Sequence, residues 1–205
     1  MKVLLINGSP HREGNTFIAL SEAARELEKQ GIGAEIIPIG TQAVQGCIAC
    51  RKCAQLGRCV FNDNLYNTVR HRLEEGIDGL IVGSPVYYAG PNGSLCALLD
   101  RVFFSCGQML AYKPAAAVAV CRRGGASATF DRLNKYFTIN CMPVVSSVYW
   151  NSVHGREIGE ARQDLEGLLT MRVLARNMAW MLRCIAERGE TPDIGEPRVS
   201  THFIR

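Results

Sequence analysis

Near its start the chain carries four consecutive apolar residues, Val3-Leu4-Leu5-Ile6, which end at Asn7-Gly8-Ser9-Pro10. A continuous apolar run of strand length, cut off by turn residues, marks a strand buried on both faces, and such strands belong to parallel sheets covered by helices. The same signal returns along the chain. Strands are expected over residues 2–6, 34–39, 78–83, 114–121 and 142–149. Between them lie segments of helical period. Residues 16–30 bring Ile18, Leu20, Ala23, Ala24 and Leu27 onto one stripe, with Gly31 placed to end the helix. Further helices are expected from Asn62 or Asp63 through Glu75, then over residues 93–106, 127–140 and 160–188. Residues 189–205 read as a tail holding Gly and Pro. Five strands alternating with helices give an α/β fold with a parallel sheet, and no composition shift divides residues 1–188.

Composition narrows the function classes. Lys plus Arg is 23 and Asp plus Glu is 19, a formal charge of +4 over 205 residues. No long basic run exists, the densest pairs being Arg51-Lys52 and Arg122-Arg123, so nucleic acid is not an expected partner. The longest apolar stretch, residues 115–121, is far too short to span a bilayer, and the opening run is too short for a secretory signal. Nine cysteines, an odd number, argue against a secreted disulfide framework and for a reducing, cytoplasmic setting. In that setting clustered cysteines point to metal or redox chemistry.

In open α/β sheets ligands bind at the carboxyl ends of the strands, so the loops there are read together. The first is Ser9-Pro10-His11-Arg12-Glu13-Gly14-Asn15-Thr16, which leads from a strand into a helix N-terminus. Free N–H groups and the helix dipole favour an anion at that place. Ser9, Asn15 and Thr16 add side-chain donors and Arg12 adds charge; an ordinary turn capped by Asn15 or Thr16 is the plainer reading. The loop lacks Gly-Lys-Ser/Thr and is not G-x-G-x-x-G, which disfavours ATP and a dinucleotide grip and leaves a phosphate monoester. The second loop, with Pro85, Val86, Tyr87, Tyr88 and Gly90, offers aromatic faces and backbone amides to a planar ring. The third holds Gly124 and Gly125, which permit close backbone approach.

The pairing of Asn7-Gly8-Ser9-Pro10, Arg12-x-Gly14-Asn15-Thr16, Gly83-Ser84-Pro85-Val86-Tyr87-Tyr88 and Leu99-Asp100-Arg101 resembles the NADPH-dependent FMN reductase group of the flavodoxin-like superfamily over residues 1–150. The resemblance implies a three-layer sandwich with a five-stranded parallel sheet of order 2-1-3-4-5. It also implies FMN, its phosphate on the first loop, residues 85–90 against the isoalloxazine, and the Gly124-Gly125 turn near the ring's other edge.

Four cysteines fall in one long loop, residues 40–62: Cys47-x-x-Cys50-x-x-Cys53 and then Cys59. Long loops inside compact folds are usually functional. The spacing suits four thiolates around one soft metal centre, with Arg51, Lys52 and Arg58 offsetting their charge. Structural zinc sites use two Cys arms set further apart, so zinc fits less well. A redox Cys-x-x-Cys pair and metal-free thiols stay open. The arrangement resembles the iron–sulfur flavoprotein family, which implies a 4Fe–4S cluster exchanging electrons with FMN in a homodimer or homotetramer. The other cysteines, at 96, 106, 121, 141 and 184, read as buried packing. Met171, Met178, Trp180 and Met181 read as core or oligomer contacts, and His11, His71, His154 and His202 form no ligand set, His11 being expected in solvent.

These readings combine into an oxidoreductase that takes hydride from NAD(P)H and passes electrons to a quinone, flavin, metal or iron–sulfur acceptor. Hydride transfer to a flavin needs no side-chain acid or base, and no catalytic residue is nominated. The rival is an electron carrier exchanging electrons with ferredoxin without substrate turnover; a charge of +4 is unlike the acidic field of flavodoxin-type carriers.

Overall fold

The computed structural model describes all residues except 194, 198, 200 and 202–205. His202 and the far end of the expected tail therefore lie outside the described residues.

The first apolar run is β1 (Lys2–Asn7). It pairs in parallel with β2 (Gly33–Pro38) on one side and β3 (Gly79–Tyr87) on the other. β3 pairs with β5 (Ala115–Cys121), which pairs with β6 (Ser152–His154). The sheet order is β2-β1-β3-β5-β6, with the two-residue β4 (Gly90–Pro91) folded back antiparallel on β3. Without that hairpin strand, the parallel strands run in the expected order 2-1-3-4-5.

Helices cover both faces. On one face α3 (Asn64–Glu74), α4 (Gly93–Cys106) and α5 (Ala126–Thr138) pack on Leu4, Ile6, Leu80, Val82, Ala115 and Ala117. On the other, α1 (Asn15–Lys29) and α6 (Leu165–Arg188) pack on Val3, Leu5, Ile81, Ala116 and Val118. Alternate residues of each strand point to opposite layers, which is why these strands must be apolar throughout. A single turn, α2 (Cys53–Leu56), lies in the cysteine loop.

Two expectations change. Residues 142–149 do not form the fifth strand. Only Val144 makes an isolated bridge, to Ala115, and the strand comes later, at Ser152–His154. Ser147 Oγ lies 2.6 Å from the Tyr149 carbonyl and 2.7 Å from Asn151 Oδ1, with one proton to donate to either, so the expected strand is replaced by a turn held through side chains. The last helix begins at Leu165, after a short 3₁₀ turn over Glu160–Gln163. There Asp164 accepts from the Gly167 N–H at 2.9 Å and supplies the cap.

Candidate flavin site and cysteine pocket

The loop after β1 is built around its own short side chains. Asn7 Oδ1 accepts from the Ser9 N–H at 3.1 Å, and Ser9 Oγ accepts from the His11 N–H at 3.1 Å. The Gly8 N–H donates to the Gly83 carbonyl at 2.7 Å, joining this loop to the end of β3. Gly8 has no room for a side chain, since a Cβ would stand 2.4 Å from Leu95 Cδ2 and 2.7 Å from that carbonyl. Gly14 is the N-cap of α1, and no side chain caps the helix. The donors of its first turn are thus left to an incoming acceptor, the condition for holding a phosphate. Ser9 and Thr16 are buried beside them, while Pro10 is partly exposed and Arg12 and His11 face solvent.

Asn15 is tied down elsewhere. Its amide Nδ2 donates to the Glu157 carbonyl at 2.9 Å, and its Oδ1 accepts from the Gly159 and Ala161 N–H groups at 3.0 and 3.2 Å. The side chain clamps the segment after β6 over the start of α1, leaving its backbone N–H for a ligand.

The second loop is a tight hairpin between β3 and β4. Val86 faces Pro91 and Tyr87 faces Gly90, with Tyr88 and Ala89 at the tip. Both tip residues have positive φ, 49° and 58°, the geometry of a two-residue hairpin turn that normally favours Asn and Gly. Each non-glycine residue in that region costs about 1 kcal/mol or more. Tyr88 stands fully in solvent. The third loop closes on this hairpin. Gly125, at φ 87°, approaches so near that a Cβ would stand 2.8 Å from both Ala89 Cα and Val86 Cγ1; Gly124 faces open space. The three expected loops are therefore neighbours at one end of the sheet.

Asn92 holds the group together, a role that sequence reasoning did not assign. Its Nδ2 donates to the Gly8 carbonyl at 2.9 Å, its N–H donates to Ser84 Oγ at 2.9 Å, and its Oδ1 caps α4 by accepting from the Ser94 N–H at 2.9 Å. The available signal was its place just ahead of a helical run.

The four clustered cysteines line one small hollow of about 20 Å³ together with Phe61, Arg101 and Phe104. The chain turns sharply to bring them there: Ala49 and Arg51, on either side of Cys50, have φ of 54° and 58°. The Ala49 N–H donates to Cys47 Sγ at 3.4 Å, and Cys53 Sγ donates to the Phe104 carbonyl at 3.7 Å. The Cys59 N–H donates to Tyr66 Oη at 2.9 Å. Among the described residues, no three His, Cys, Asp or Glu side chains are gathered tightly enough for a single ion.

The remaining cysteines divide. Cys106 and Cys121 are buried and Cys96 is partly so, as packing requires. Burial raises the Cys96 and Cys121 thiol pKa values, as suits unreactive core residues. Cys141 and Cys184 are exposed, which corrects their assignment to the core. Met171 and Met178 are buried, but Trp180 is 65% exposed.

Comparison with known proteins gives the fold and the family. An iron–sulfur flavoprotein of Methanocaldococcus jannaschii is 34% identical over 193 residues, covering 90% of this chain and 99% of the relative. The solved structure of RosB with a bound riboflavin-5′-phosphate derivative superposes with a TM-score of 0.71 at 16% identity, covering 100% of this chain and 94% of that one. A flavodoxin from the Archaea superposes with a TM-score of 0.60 at 13% identity, covering 89% and 99%. These two establish a flavodoxin-like fold. The family model for NADPH-dependent FMN reductases matches residues 1–157, and the chain belongs to that family of FMN-dependent oxidoreductases.

Proposed function

We propose that the protein is an NAD(P)H-dependent FMN oxidoreductase that relays electrons through a 4Fe–4S cluster held by Cys47, Cys50, Cys53 and Cys59. One observation carries the reading: α4 starts at the clasp of the flavin loops, through Asn92, and passes the cysteine hollow at Arg101 and Phe104. Flavin loops and cysteine pocket are thereby fixed to one rigid element.

In this reading Ser9, Thr16 and the first-turn N–H groups of α1 bind the FMN phosphate, with Pro10, Arg12, Gly14 and Asn15 shaping or flanking the loop. Pro85, Val86, Tyr87, Tyr88 and Gly90 form one wall for the ring, and Gly124 and Gly125 the facing turn. Bound FMN supplies hydride acceptance from a nicotinamide and release of single electrons; the chain orients the ring and limits water at its face. The cysteine pocket supplies four thiolates, and Arg51, Lys52 and Arg58 offset their negative charge. No carboxylate lies in residues 40–61 to oppose those cations. The acceptor is a small molecule such as a quinone or free flavin, or a ferredoxin.

Purification without oxygen, an absorption spectrum, and iron and sulfide analysis test the reading. Flavin bands with four irons and four sulfides per chain are expected, together with NADPH or NADH oxidation in the presence of an acceptor. No flavin after reconstitution with FMN overturns the reading. The name of the Methanocaldococcus relative, an iron–sulfur flavoprotein, supports a cluster beside the flavin and fits equally a second version, in which the protein only carries electrons to or from ferredoxin. Electron exchange with ferredoxin without nicotinamide oxidation would select it.

A further inference from the structure

Arg101 has no solvent-exposed side-chain surface and is the largest fully buried side chain in the fold. A guanidinium taken out of water costs several kcal/mol unless its donors and charge are matched. Its partners all come from one segment. Nη2 donates to the Phe61 carbonyl at 2.9 Å and forms an ion pair with Asp63 at 2.5 Å; Nη1 donates to the Gln45 carbonyl at 3.3 Å. The guanidinium also lies over the rings of Tyr66 and Phe61, 4.7 and 5.7 Å from their centroids. The cysteine loop, from before its first cysteine to the start of α3, is wrapped around this one side chain.

The contact with a fifth residue is of another kind. The Arg101 Nε–H points at Cys59 Sγ at 3.4 Å. A neutral thiol is a poor acceptor for a buried cationic donor, whereas a metal-bound thiolate is a good one. The same cysteine is gripped through its backbone by Tyr66, whose hydroxyl lies 2.7 Å from Ser105 Oγ, and Ser105 donates in turn to the Arg101 carbonyl at 2.7 Å. Cys59 is thus fixed from both sides by groups anchored to α4.

We infer that Arg101 is the positioning residue of the cysteine pocket, and that its hydrogen bond to the Cys59 sulfur sets the cluster's reduction potential. The inference rests on the proposed cluster. Reduction adds negative charge to the sulfurs, so a fixed cationic donor stabilises the reduced state more and raises the potential. Arg101→Gln removes charge and donor geometry; Arg101→Lys keeps the charge but loses the planar Nε–H vector.

The test uses the full chain and both variants, assembled without oxygen. Iron, sulfide and FMN are counted, and cluster and flavin potentials are titrated separately by electron paramagnetic resonance and absorbance. Full iron with a lower cluster potential is expected in Arg101→Gln. At fixed poise its reduced-to-oxidised ratio should fall about tenfold, which is 59 mV for a one-electron couple. Arg101→Lys should fall between it and the wild type, and the flavin potential should not move. Variants that fold and hold FMN but lose iron support the positioning role. Full iron with unmoved potentials in both variants overturns the inference. If neither variant folds, pulsed resonance on the unaltered protein grown with ¹⁵N-arginine decides: a single coupled arginine nitrogen at the reduced cluster supports it, and none overturns it. A wild-type protein that takes up no iron overturns the proposed cluster, and this role with it, and is distinguished by the iron count alone.

Discussion

Gly124 and Gly125 are adjacent and chemically identical, yet the fold treats them differently. A Cβ on Gly124 meets nothing, whereas one on Gly125 meets Ala89 and Val86 of the hairpin at 2.8 Å, on a backbone already at φ 87°. Gly125→Ala should therefore cost roughly 1–3 kcal/mol and push the two flavin loops apart. Gly124→Ala should stay within about 0.5 kcal/mol of wild type. Thermal unfolding with and without FMN reads both effects: only Gly125→Ala should lower the midpoint and weaken FMN binding, by tenfold or more. Equal behaviour of the two variants would sink this account. Sequence could name the pair as a place of close approach but not say which member needs it, because the neighbour lies on another loop. Asn15 shows the same limit. Its position before a helix is legible, while the partners that occupy its amide, residues 157–161, come from the other end of the chain.

Among the elements, those specified by local chemistry stand within a residue or two of where the sequence places them. Residues 93–106 form a helix because Asn92 caps it, and α3 begins at Asn64 because Asp63 accepts from the Tyr66 N–H at 3.0 Å. The fifth strand was not legible. Residues 142–149 look apolar, but Val148 and Tyr149 are exposed, as is Trp150 just beyond, so the hydrophobicity at the end of this run does not report on the sheet. The α1–α6 layer carries a feature that only the packing reveals. Glu26 of α1 is 4% exposed and accepts from Arg176 Nε of α6 at 2.6 Å, with Lys29 Nζ at 3.3 Å. The hydrogen bond from Arg176 is the main reason its carboxyl titrates below the ordinary 4.5, and it outweighs burial, which acts the other way. A carboxyl with a lowered folded pKa adds stability above its unfolded value and loses it as pH falls through the folded one. Glu26→Gln should cost about 1–2 kcal/mol near neutral pH. The gap to wild type should close as pH drops below 4.5. Denaturant unfolding across that range measures it, and a gap independent of pH would rule out the Arg176 pair as its source.

For the molecule as a whole, the question is how flavin and cysteine pocket communicate. Asn92 and Arg101 are nine residues apart on α4, about 14 Å along the helix axis. With the flavin at the loops clasped by Asn92 and the proposed cluster beside Arg101, electrons within one chain would travel a path on that order. A second copy that brings its flavin loops to the first copy's cysteine hollow would shorten the path; separately, the surface offers apolar area for assembly on α6, across the sheet from α4 and the hollow. Leu165, Leu169 and Trp180 line an exposed side of α6, and the Tyr149 and Trp150 rings, 5.1 Å apart, are exposed nearby around Gly167 and Thr170. Exposed apolar patches of this kind mark interfaces. Light scattering on the full chain should give a dimer or tetramer. The double variant Leu169→Glu, Trp180→Glu should shift it toward the monomer while leaving FMN and iron content intact, since neither residue touches the flavin loops or the hollow. If assembly shortens the electron path, stopped-flow reduction of the cluster by NADPH should slow at least tenfold in the monomer, while flavin reduction keeps its rate. A wild-type chain that is monomeric, or a monomeric variant whose cluster is reduced at the wild-type rate, would place the whole relay inside one chain.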